Sequence, residues 1–324
     1  MTTFDQIKKS IKPELNALGK KMEEALDSSN SLMGSVITSC LKTKGKLIRP
    51  VIVILAAKLF GEVNDKTISS AAAVELLHNA SLIHDDVVDE SMIRRGKATV
   101  NSRWDNHIAV IVGDFYVSSA LKQAISTGDI RIVNSLASLG RLLSLGEIDQ
   151  IYNAREHLLD EKAYIEVISR KTASLFVSCV EMGAYSVGAP EANLGALRKF
   201  AEILGLCFQI KDDIFDYFDD ETIGKPTGND LREGKITLPL LYALSRKDLP
   251  ENRRMKDLLK KDDLDKEDID ALIGFAKSAG GIEYARKRMA KLAEEANKAL
   301  DTYPPSDARK DLKEILEFVI EREC

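Results

Sequence analysis

The run Ser81-Leu82-Ile83-His84-Asp85-Asp86-Val87-Val88-Asp89 constrains this chain more than any other stretch. Three carboxylates sit in an apolar segment of helical character. On a helix, Asp85 and Asp89 are one turn apart, and Asp86 and Asp89 are three residues apart, so all three are expected to converge. Three like charges among Leu82, Ile83, Val87 and Val88 repel one another, and burying them without a counter-charge is costly. A cation is therefore expected there. Carboxylate oxygens suit a hard divalent ion, Mg²⁺ best when phosphates supply its remaining ligands. The spacing recurs in Lys211-Asp212-Asp213-Ile214-Phe215-Asp216, inside the apolar run Leu204 to Phe218. One such cluster is usually a solvated acidic face. Two of them on apolar helices define a cavity for several divalent ions and a heavily phosphorylated substrate.

The rest of the chain reads as helix. Ala, Leu, Lys and Glu dominate, and the β-branched residues do not alternate as in strands. The expected fold is all-α, a bundle of antiparallel helices around a deep central cavity. Among 324 residues, 44% are hydrophobic, enough for a large core. No Pro/Gly/Ser-rich linker and no internal repeat divides the chain, so residues 1–324 are expected to form a single domain. The N-terminus lacks the basic-then-apolar pattern of a signal peptide. The longest apolar runs, such as Val51 to Ala57, are too short to span a bilayer. Cys40, Cys179, Cys207 and Cys324 show no metal-ligand spacing and read as reduced thiols of a cytoplasmic protein. The formal net charge of −5, without a basic stripe, argues against nucleic acid as a partner.

Amphipathic helices are expected over Phe4 to Leu26, with Ile7, Ile11, Leu15 and Leu18 on one face, and over Ser31 to Leu41. A basic loop, Thr43 to Arg49, then enters an apolar helix from Val51 to Phe60, with Pro50 in its first turn. Lys46 and Arg49 at that N-terminus make an anion site or simply a solvated loop. A helix opening at Asp65 or Thr67 runs into the first triad and is apolar all round, so it is expected to be central. Arg94 and Arg95 follow the triad and either pair with it or bind phosphate through their forked donors. Ile108 to Ser126 and a helix capped by Asp129 come next. The latter carries polar Glu147, Asp149 and Gln150 on an inward-looking face. Lys171-Thr172 amid apolar neighbours is a buried anion ligand or a snorkelling lysine. The segment Thr222 to Lys235 is a loop in which Lys225 and Lys235 can fold over a phosphate. It lacks the Walker spacing. His78 is a candidate phosphate contact.

In their order, these blocks resemble the trans-prenyltransferase family, the all-trans polyprenyl diphosphate synthases. The resemblance spans roughly Gly45 to Leu241. It rests on G-K-x-x-R-P at Gly45 to Pro50, L-I-H-D-D-V-V-D at Leu82 to Asp89 and R-R-G at Arg94 to Gly96. G-D-F at Gly113 to Phe115, K-T-A at Lys171 to Ala173, Q-I-K-D-D-I-F-D at Gln209 to Asp216 and G-N-D-L-R-E-G-K-I-T-L-P at Gly228 to Pro239 complete it. Leu47 departs from it, since many long-chain members carry arginine there. The resemblance implies a homodimer. It implies about three Mg²⁺ ions per site, held mainly by Asp85, Asp86, Asp89 and Asp212, with Asp213 and Asp216 as metal-site residues behind them. Arg94, Lys171, Thr172, Gln209, Lys225 and Lys235 would bind the diphosphate of an allylic substrate. Lys46, Arg49, His78 and Arg95 would bind that of isopentenyl diphosphate. Asp85, Asp86, Asp89, Lys171 and Asp212 would carry catalysis, and the product would be delivered to a membrane although no transmembrane segment is expected.

Product length is read from the helix before the first triad. The hydrocarbon tail must run away from the charge, past Ser81 and Ala80 and then Leu77. In short-chain members a bulky aromatic closes that turn. Small Ala80 and Ser81 leave it open, which predicts a long-chain product of about 30–50 carbons. The alternatives are a short-chain farnesyl or geranylgeranyl diphosphate synthase, a terpene cyclase, and a non-catalytic synthase subunit. A cyclase needs one diphosphate site, and its second metal motif is usually of another type. A subunit relieved of catalysis has no reason to keep six carboxylates on apolar helices.

Overall fold

A computed structural model describes residues 3–41, 45–94, 96–218, 227–261 and 263–322. Among these residues the helices are α1 Thr3–Ser10, α2 Lys12–Ala25, α3 Ser31–Leu41, α4 Ile48–Phe60, α5 Asp65–Val88, α6 Val100–Arg103, α7 Asn106–Ser126, α8 Ile130–Arg155 and α9 Glu161–Ile168. They continue with α10 Ser174–Ser186, α11 Gly195–Phe215, α12 Asn229–Arg232, α13 Leu238–Ser245, α14 Asn252–Leu258, α15 Lys266–Ser278, α16 Gly281–Leu300 and α17 Asp307–Glu321. The expected all-α fold is what the chain adopts. Two short antiparallel strands, β1 Ile93–Arg94 and β2 Lys97–Ala98, close a hairpin that helical periodicity did not foreshadow. Gly96 makes that turn with φ +71°, a conformation that costs L residues more than glycine.

The helix carrying the first triad is the centre of the bundle. Every residue of α5 from Thr67 to His78 is buried. Asn64 caps α5, its side chain accepting from the amides of Lys66 and Thr67 while Thr67 Oγ1 accepts from the Asn64 amide. α7 lies along α5, and α4, α10 and α2 pack on its remaining sides. The approach of α7 is close because α7 presents Ala109, Gly113, Ala120 and Ala124 inward. A Cβ on Gly113 would fall 2.1 Å from Nε2 of His84, so that glycine admits the imidazole one residue before Asp85. α7 is also long and apolar enough to cross a membrane by length and composition, which corrects the expectation that every apolar run is too short to do so.

The single helix expected over Phe4 to Leu26 is broken at Ile11, because Pro13 in the first turn of α2 has no N–H to give to the turn before it. α4 begins earlier than expected, at Ile48, after Leu47 adopts φ 59°. A left-handed non-glycine residue costs about 1–2 kcal/mol, a strain held here between Lys46 and Arg49.

Candidate active site

A cavity of about 170 Å³ is lined by Gln150 of α8, Lys171, Thr172, Gln209, Lys235 and Asp213 of the second triad. Lys171 and Thr172 lie in a π-helical turn, Ser169–Ala173, between α9 and α10. The wider turn offsets their side chains from the α-helical phase, a distortion that recurs at functional sites. Two glycines make room for it. A Cβ at Gly146 would fall 2.8 Å from the Lys171 amide nitrogen, and one at Gly205 would fall 2.4 Å from Cα of Ala173.

The six aspartates do not act alike. Asp85 is half-buried and its carboxyl is pushed up to about 6. Burial is the main cause, the Lys171 ammonium opposes it, and Glu147 and Asp89 add to it. This is a carboxylate in search of more positive charge than the side chains supply. Asp89 caps α5 and has Lys235 Nζ 3.7 Å from its Oδ1. Asp212 Oδ1 accepts from Arg322 Nη2 at 2.5 Å. Asp213 is buried, accepting from Tyr164 Oη at 2.6 Å and from Gln209 Nε2 at 2.8 Å. Burial raises its carboxyl well above the usual range against those two hydrogen bonds. Both oxygens of Asp216 accept backbone amides, of Asn229 and Asp230, each at 3.0 Å, so Asp216 caps α12.

Asp86 requires a correction. It was expected to converge with Asp85 and Asp89, but a turn of about 100° from Asp85 takes its side chain elsewhere. Its Oδ1 accepts from Arg94 Nε at 2.7 Å, and it lines a separate cavity of about 490 Å³ with Glu75, Asn79 and Ile83 of the same α5 stripe. Arg94 lines that second cavity too, and so acts here as the counter-ion of Asp86. Arg95 and Lys225 lie outside the described residues.

Lys171 and Lys235 line the same cavity, and each of the remaining candidate cations has a resident partner. Lys171 pairs with Glu147. Lys235 Nζ donates to Glu233 Oε2 at 2.5 Å. Thr172 Oγ1 donates to Gln209 Oε1 at 2.7 Å, which orients Gln209 toward Asp213. Lys46 sits over the ring of Phe318, at 5.8 Å, and Arg49 over those of Phe176 and Phe208, at 5.6 and 5.9 Å. His78 is buried on α5, and its carbonyl accepts from Ser81 Oγ at 2.9 Å. Ala80 is 0% exposed and Leu77 buried, while Ser81 is half-buried.

Three further side chains touch the candidate residues: Glu147 meets Lys171, Tyr164 meets Asp213 and Arg322 meets Asp212. Glu147 had a signal in the sequence, a polar residue on an inward helix face. Tyr164 had none, and Arg322 had none, because both meet their partners only through the tertiary fold.

The donors suit Mg²⁺ in part. Among the described residues no three carboxylates, histidines or cysteines stand close enough to hold one ion by themselves. Asp85, Asp89 and Asp212 are hard oxygen donors, and phosphate oxygens would have to complete any coordination sphere.

Fold and site together define a helical-bundle synthase of the isoprenoid type. The chain belongs to the polyprenyl synthetase family, whose family model matches residues 30–275 under the description Polyprenyl synthetase. It is 32% identical over 323 residues to the octaprenyl diphosphate synthase of Haemophilus influenzae, covering 99% of this chain and 98% of that protein. A polyprenyl synthase from Caulobacter crescentus CB15, solved in complex with calcium and isoprenyl diphosphate, superimposes with a TM-score of 0.93 at 32% identity, over 99% and 98% of the two chains. A geranylgeranyl pyrophosphate synthase from Bacteroides thetaiotaomicron is similar at 36% identity and a TM-score of 0.85, over 99% of each chain.

Proposed function

We propose that this protein is a prenyltransferase that condenses isopentenyl diphosphate head-to-tail with an allylic diphosphate, giving a long-chain all-trans polyprenyl diphosphate and releasing diphosphate. One observation carries this reading: Asp85 lies in the field of Lys171, Asp89 stands beside Lys235, and Asp213 lines the cavity that these two lysines share, with a second cation group at Lys46 and Arg49. Two diphosphates require two such groups.

Asp85, Asp89 and Asp212 would hold about three Mg²⁺ ions together with diphosphate oxygens. When bound, the metal neutralises the charge that develops on the leaving diphosphate. Lys171 and Lys235 add positive charge on the same side, and Thr172 and Gln209 add hydrogen bonds there. Asp86 and Arg94 neutralise one another and hold the end of α5 in place. Lys46, Arg49 and His78 would orient the isopentenyl diphosphate so that its double bond meets the allylic carbon. The allylic cation would have to be kept from water while the new bond forms. Among the described residues no side chain presents itself as a base, so the departing diphosphate takes the final proton. The long-chain reading rests on small side chains at Ala80 and Ser81 and on the octaprenyl synthase relative, with geranylgeranyl synthesis as the alternative.

We further propose a cytoplasmic homodimer. α7 exposes Ile111, Val117, Leu121 and Ile125, and α8 exposes Leu145, Ile148 and Tyr152, and exposed apolar side chains grouped in this way mark association surfaces.

The test is incubation of the purified protein with an allylic diphosphate, labelled isopentenyl diphosphate and Mg²⁺, followed by dephosphorylation and chromatography. Chain extension supports the proposal. A cyclic hydrocarbon would point to a cyclase, and absence of turnover by the protein alone to a non-catalytic subunit.

A further inference from the structure

The end of α17 reaches the second triad. α17 is anchored by Phe318, which stacks on Phe4 with ring centroids 5.1 Å apart. The next turn delivers Arg322, whose side chain is only 8% exposed. Its Nη2 donates to Asp212 Oδ1 at 2.5 Å and to the Phe208 carbonyl at 3.1 Å. Its guanidinium lies 4.2 Å from the ring of Phe208 and 5.5 Å from that of Phe215. Its Nε is buried without a hydrogen-bond acceptor among the described residues. Arginine is thus wedged between two rings of α11, using a metal-type carboxylate as its anion and leaving one donor unused.

A guanidinium and a divalent ion compete for the same carboxylate. They share its lone pairs, and their like charges repel across a part-buried gap. Arg322 also lacks the full hydrogen-bond complement that would make its position a deep minimum, since one buried N–H is unmet.

We propose that Arg322 is the resident counter-cation of Asp212, and that a divalent metal occupies Asp212 only by displacing it, so that the C-terminal turn of α17 loosens as the site fills. This rests on the reading of Asp212 as a metal ligand. It gives the chain a reason to bind metal weakly until a diphosphate contributes its own oxygens.

Mn²⁺ alone is the probe, titrated into the full-length protein without diphosphate and followed by the electron paramagnetic resonance of the free ion. Loss of one charge-assisted contact predicts that Arg322→Gln tightens Mn²⁺ binding about tenfold, whereas Arg322→Lys stays near wild type. Asp212→Asn weakens Mn²⁺ binding and cancels the gain when combined with Arg322→Gln. If Asp212→Asn weakens binding but Arg322→Gln changes nothing in a protein of normal helix content, the competition is refuted and the metal reading survives. If Asp212→Asn has no effect on Mn²⁺ in either background, both are refuted. The unsubstituted chain supplies an independent readout, because the Arg322 amide donates to the Phe318 carbonyl at 3.0 Å. Mn²⁺ should speed hydrogen exchange in the peptide ending at Arg322, and unchanged exchange at saturating Mn²⁺ would overturn the proposal even if the variants fail to fold.

Discussion

At the scale of single residues, the site is defined by what each carboxylate already touches. Asp213 and Asp216 spend their oxygens on Tyr164, Gln209 and two backbone amides, which makes them supports. Asp85 is the opposite case. Its folded-state pKa of about 6 exceeds its ordinary value of 3.8, so the folded chain binds that proton more tightly than the unfolded one. Without metal, stability therefore falls as pH rises from about 4 to about 6, and stays lowered above that window. Asp85→Asn removes the penalty. In chelator at about pH 7.5 it should unfold in urea with about 1–2 kcal/mol more stability than wild type, while at about pH 3 the two should coincide. Turnover should meanwhile drop by orders of magnitude. Equal stability at the higher pH would show that Lys171 already compensates the charge.

At the scale of elements, helix phase decides function. The π-helical turn at Ser169–Ala173 and the glycines opposite it set where Lys171 points, and Gly113 sets how closely α7 lies against α5. The same phase separates Ala80 from Ser81. Ala80 has no exposed surface, so a ring there must push apart helices already in contact, whereas Ser81 faces partly open space. Ser81→Phe should accordingly shorten the product to about 15–20 carbons, each lost addition removing five carbons of buried tail, and leave the first condensation largely intact. Ala80→Phe should cost stability as well. Reversed-phase separation of the dephosphorylated products, set beside thermal unfolding of both variants, decides the matter. An unchanged length distribution from an active Ser81→Phe enzyme would mean that the tail runs along another face.

For the whole molecule, the notable surface is the apolar face of α7 and α8. α7 binds α5 through one side and leaves Ile111 57% and Ile125 58% exposed on the other, while Ile148 of α8 is 64% exposed. The carboxylate of Asp114 stands on that side of α7 and lies 3.5 Å from His84, next to Asp85. Association across this face would therefore steady the helix that carries the first triad. Ile111→Glu combined with Ile148→Glu should convert a dimer into a monomer in sedimentation velocity. A dimer surviving both charges would place the interface elsewhere.

Much of this was legible in the residues themselves. Helical spacing on an apolar background marked α5 and α11, and the repeated D-D-x-x-D spacing singled out the acidic cluster on each. These are local properties, set by neighbours three or four positions apart on one helix. What the sequence could not express was which way each side chain turns and whom it meets. The capping duty of Asp216, the hydrogen bond from Thr172 to Gln209 and the return of Arg322 to Asp212 join residues 13, 37 and 110 positions apart. Only tertiary packing brings such partners within hydrogen-bond reach, because a contact 110 positions away leaves no periodicity behind.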